Sequence, residues 1–113
     1  MEALAERTSW IRKWSLFLED WPIVLCPTAF DPPMPQDVTG LTPEAYTRMF
    51  QAMMPSYVVP LLGLPGLAVP TGLSDGLPTG VQLIAGRFRE DLVLDAAEAI
   101  EAAHQPITPI NPR

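Results

Sequence analysis

The chain has one cysteine, one histidine and one lysine among its 113 residues. A lone Cys26 excludes an internal disulfide. With His104 far from it in sequence, no spacing typical of metal ligands exists. Cys26 lies inside Ile23-Val24-Leu25-Cys26, where a thiol ordinarily serves as a small buried hydrophobe. No apolar run approaches the ~18 residues that a membrane-spanning helix needs. The opening MEALAERTSW is polar and acidic, unlike a secretion signal. Positive charge is scarce too: 7 Lys and Arg against 13 Asp and Glu give −6. That balance argues against nucleic acid or an anionic membrane as partner. A reducing cytoplasm, no metal and no cofactor are therefore the expectations.

What the chain does have is apolar content, 48 % of its residues, and 14 prolines. The first excludes a disordered chain. At this length folding removes about 65 % of the unfolded surface from water, so one small domain with a single core is expected. The prolines, clustered at Pro27, Pro32, Pro33 and Pro35, mark extended loops and sharp stops.

Residues Glu2 to Asp20 read as a helix with Trp10, Trp14, Phe17, Leu18 and Trp21 on one broad stripe, stopped by Pro22. Ile23 to Cys26 is apolar without alternation, the pattern of a strand covered on both faces at the centre of a sheet. Thr42-Pro43-Glu44 opens a second helix. The Thr42 hydroxyl can accept from an orphan N–H, Pro43 suits the first helical position, and Glu44 suits the positive end of the dipole. Its apolar face is Tyr46, Met49, Phe50 and Met53, and Pro55 is expected to end it. Val58 to Leu62, interrupted by Pro60, is ambiguous. Arg89 to His104 reads as a third helix burying Leu92, Ala96, Ala99, Ile100 and Ala103, with Glu90 and Asp91 favourable in its first turn. His104 suits the last carbonyls of that helix. Residues 105–113 form a proline-rich tail.

The stretch from Gly63 to Gly86 holds two short apolar runs, Leu67 to Pro70 and Gly80 to Ala85, separated by Gly, Ser, Asp and Pro. They are expected to pair antiparallel as a hairpin with a long loop, Pro70 ending the first strand. The order helix, strand, helix, strand, strand, helix predicts an α/β fold with a mixed sheet of at least three strands.

Three separated segments then carry a resemblance: Asp20-Trp21-Pro22-Ile23-Val24-Leu25-Cys26-Pro27-Thr28, Gly63 to Gly72, and Gly76 to Gly86. In this order, followed by a helix from Glu90 to Ala103, the chain resembles the C-terminal portion of an amidase signature family enzyme. On that likeness residues 1–113 are a single partial domain of an α/β/α fold. The resemblance implies cleavage of carboxylic amides by a serine nucleophile, with a second serine relaying a proton to a lysine. Those three residues belong to the family's N-terminal half and have no counterpart here. The chain is thus expected to be silent alone, and to self-associate or bind a complementary N-terminal amidase half. The rival reading is a stand-alone interaction module. Ser9 and Lys13, four apart on the first helix, lack the oxyanion donors and desolvation that a Ser–Lys dyad requires.

The resemblance also implies a wall for the acyl pocket, built from the loop after the first strand and the face of the next helix. Thr28, Phe30, Phe50 and Met53 are the candidates, although Phe50 and Met53 equally suit plain core packing. The glutamine-using branch carries an acidic residue at the place of Met53, and Pro60 replaces an asparagine common in the family. Met53 therefore points to an apolar substrate.

Overall fold

The computed structural model describes residues 1–34 and 42–104. The proline-rich tail and the loop positions Pro35 and Asp37 lie outside the described residues. The elements run α1 (Glu2–Asp20), β1 (Ile23–Pro27), α2 (Pro43–Ala52), α3 (Met54–Leu62), β2 (Gly66–Ser74), β3 (Leu77–Ala85) and α4 (Glu90–Ala102).

The three strands form one sheet in the order β1-β3-β2. The α/β class and the three strands are as the sequence indicated. Both pairings are antiparallel; a parallel pair, as a mixed sheet would contain, is not among the described residues. The hairpin register sets Leu67 against Leu83, Ala68 against Gln82, Val69 against Val81 and Pro70 against Gly80. Its loop is not long. Strand β2 runs on past Pro70 through a bulge between Pro70 and Gly72, and Ser74 pairs with Leu77. Only Asp75 and Gly76 remain as the turn, both with positive φ, 52° and 77°. An Asp-Gly pair favours that left-handed turn because its twist matches the strands. Pro70 sits on an edge strand, where a missing donor is tolerated.

The central strand is β3 rather than β1. Alternation along β3 sends Val81, Leu83 and Ala85 to one face and Gln82 and Ile84 to the other. On the first face Val69, Leu83 and Ala85 pack with Val93 and Ala97 of α4. On the second, Ile84 packs with Leu18 of α1 and with Leu62 and Leu64 at the end of α3. The result is helix, sheet, helix in three layers. β1 lies at an edge and its Leu25 is 60 % exposed. The apolar run predicted two covered faces; here the described chain supplies only part of that cover.

Two helices differ from expectation. Pro55 does not end the helical segment: it stands in the first turn of α3, where its missing N–H removes nothing. Pro60 is carried inside α3, which ends at left-handed Gly63. Arg7 Nε donates to the carbonyl of Leu61 at 2.6 Å, partnering the end of the same helix. In α4 the buried face turns toward Val93 and Ala97, while Ala99 and Ala103 are exposed. His104 Nδ1 donates to the carbonyl of Ile100 at 2.8 Å, as its position suggested.

Candidate functional site

Between the loop after β1, helix α2 and the start of β3 lies a cleft of about 590 Å³. That volume falls in the range of small-molecule sites. Thr28, Ala29 and Met34 line it from the loop, Met49, Ala52 and Met53 from α2 and its cap, and Pro78, Thr79 and Gly80 from the hairpin. Methionine and alanine make this surface apolar and adaptable. Asp31 and Arg48 also line it, and they meet as an ion pair, Arg48 Nε to Asp31 Oδ2 at 3.3 Å. Both side chains are well exposed, so the pair adds little to the stability of the fold.

Local structure explains the placement of each wall. Pro27 closes β1 and directs Thr28 and Ala29 out of the sheet. The N–H of Phe30 donates to the carbonyl of Ala52 at 2.8 Å, and the Ser56 hydroxyl donates to the carbonyl of Thr28 at 2.5 Å. These bonds join the loop to the α2–α3 junction. Helix α2 begins as the sequence indicated: the Thr42 side chain accepts from the N–H of Ala45 at 3.3 Å, and Pro43 follows. Glu44, in that first turn, is held below the usual glutamate range by a bond from its own backbone N–H and then by Thr42.

Of the four candidate wall residues, Thr28 and Met53 line the cleft. Phe30 is 68 % exposed and Phe50 55 %, and neither is among the lining residues. Phe50 instead leans on Tyr57, ring centroids 6.4 Å apart. Sequence reasoning passed over Gln82, the one buried polar side chain among the described residues. The signal was present: it is the sole polar residue between Val81 and Ala85. Its Nε2 donates to the carbonyl of Pro55 at 3.1 Å and lies 3.6 Å from Cys26 Sγ.

Nothing in this cleft is a nucleophile paired with a base. Ser9 and Lys13 are exposed on α1, and the Lys13 ammonium sits 4.4 Å from the centroid of the Trp10 ring. A solvated cation resting on an aromatic face is not the desolvated base that such chemistry needs. Among the described residues no group of three or more His, Cys, Asp and Glu is placed to hold a metal ion. No helix among them is long and apolar enough to cross a membrane.

This three-layer frame has relatives among known proteins. The Amidase family model matches residues 1–94, and the chain belongs to that family. It is 49 % identical over 102 residues to an indoleacetamide hydrolase of Bradyrhizobium japonicum, covering 89 % of this chain and 22 % of that one. It is 35 % identical to a glutamyl-tRNA(Gln) amidotransferase subunit of Pediococcus pentosaceus, covering 90 % of this chain and 20 % of the relative. The crystal structure of the glutamyl-tRNA(Gln) amidotransferase subunit from Thermotoga maritima superposes with a TM-score of 0.68 and 30 % identity. It spans 92 % of this chain and 22 % of that one. The chain therefore spans about a fifth of the length of these relatives.

Proposed function

We propose that this segment supplies a wall of the acyl pocket to an enzyme that hydrolyses carboxylic amides of apolar acids, and that it is silent by itself. The observation that carries the reading is the apolar cleft between Thr28 and Met53. In the complete enzyme, a serine elsewhere attacks the amide carbonyl and expels the amine while the cleft holds the acyl group. Acyl transfer of this kind gains most when the acyl group is held in one orientation, and that holding is the part assigned to this chain. Met34, Met49 and Met53 suit a flat apolar acyl group such as the indoleacetyl group named for one relative. A carboxamide such as glutamine, with its charged end, would find no acidic partner at Met53. The partner is a complementary catalytic portion of an amidase, met in the cytoplasm.

The test is complementation. The chain alone should leave indoleacetamide intact. Mixed with a B. japonicum indoleacetamide hydrolase from which the matching segment is deleted, it should restore turnover. A complex that assembles yet stays inactive would remove the reading.

A further inference from the structure

Helix α2 carries the Met49–Met53 side of the cleft, yet it has little packing against the sheet; its principal neighbour is α3. What fixes its distance from β1 is a short polar chain. Gln82, at the centre of the sheet, donates to the carbonyl of Pro55. The next residue, Ser56, donates to the carbonyl of Thr28. Two residues before Pro55 stands Met53, which caps both α2 and α3. Consecutive residues at the start of α3 are thus tied to β3 on one side and to the end of β1 on the other. The Phe30 N–H to Ala52 carbonyl bond closes the loop onto α2 beyond them.

We infer that Gln82 and Ser56 are positioning residues that set the width of the cleft, holding Met53 at a fixed distance from Thr28; this rests on the pocket reading above for its functional meaning. Burial gives the geometry its force. A buried amide side chain is retained where its bond is made, and deleting the donor leaves the Pro55 carbonyl one partner short. Gln82 is the buried member of the chain, at 9 % exposure. Gln82 is not itself a lining residue of the cleft, so its effect passes through Pro55 and Ser56 to Met53.

Amide hydrogen exchange on the full chain tests this, because the Phe30 N–H reports whether the loop stays closed on α2. Gln82→Met keeps the volume and removes the donor; Ser56→Ala removes the second link, and Ser56→Thr restores a hydroxyl. Gln82→Met and Ser56→Ala should each speed exchange at Phe30 by about ten-fold, while amides of Val81 to Ala85 and of α4 stay near wild type. Ser56→Thr should return Phe30 to the wild-type rate. Unchanged exchange at Phe30 in both deletions would overturn the proposal, as would a loss spread equally over sheet and loop. In the complemented enzyme the same two variants should raise KM for indoleacetamide with kcat held. If exchange at Phe30 responds but complementation yields no turnover with any variant, the positioning chain stands and the pocket reading falls.

Discussion

Gly80 brings its α-carbon against the backbone of Val69: a β-carbon there would stand 2.9 Å from the Val69 carbonyl oxygen. That oxygen belongs to the paired strand and cannot swing away. The contact sits beside the Pro70 bulge and at the hairpin side of the cleft. Gly80→Ala should therefore destabilise the fold by roughly 1–3 kcal/mol, through a forced shift of β2 against β3. Gly76→Ala meets open space, and only its φ of 77° opposes a side chain, so about 1 kcal/mol is expected. Thermal unfolding of the two variants gives the comparison. An unchanged midpoint for Gly80→Ala would show that the strands part more easily than the pairing implies.

Acid should loosen the α2 wall through Glu44. Its folded pKa is lowered, first by its backbone bond and then by Thr42, so protons bind the unfolded chain more tightly. The resulting stability is complete above the ordinary glutamate value. It is lost as pH falls through the lowered folded value. Following the Glu44 carboxyl by NMR should give a midpoint below that of an unstructured glutamate, and Thr42→Ala should move it part of the way back. A midpoint at the unstructured value would contradict the cap.

Much of this fold is legible in the sequence, and the failures have physical causes. The pairing of Leu67–Pro70 with Gly80–Ala85 follows from two apolar runs and the breakers between them. The breakers also misled: Pro70 and Gly72 suggest a loop, but an edge strand tolerates a missing donor and a bulge absorbs the extra residue. Pro55 and Pro60 hide α3 for a similar reason, since proline at the start of a helix is favourable and only its interior position counts against it. The apolar run of β1 signals two covered faces, yet Leu25 stays exposed because β1 lies at the edge of the sheet. The four wall candidates came from the family resemblance, and of them Thr28 and Met53 line the cleft. Phe30 and Phe50 escaped because an aromatic on the right element still has to point inward, and periodicity does not fix that. Gln82 was readable only as an exception, one amide in an apolar strand.

The open edge predicts association. Leu25 on β1 is 60 % exposed, with Trp21 at 64 % just before it, and the radius of gyration, 16.7 Å, exceeds the roughly 13 Å of a compact chain of this length. An unpaired strand beside apolar surface is a template for another chain, and a charge of −6 opposes this only through screened repulsion. Sedimentation at micromolar concentration should show dimers or larger species that bind a hydrophobic dye. Leu25→Lys, a charge placed on the edge, should shift them toward monomer. A compact monomer that ignores the dye would favour an independent module.

The measurement closest to the central claim is kcat/KM for indoleacetamide in the complemented enzyme, with wild-type chain and with Met53→Asp. If this chain walls the acyl pocket, an acid at Met53 places an unpaired charge against an apolar acyl group. The value should fall about ten-fold or more, mainly through KM. Equal values for the two chains, with the complex equally assembled, would contradict the account.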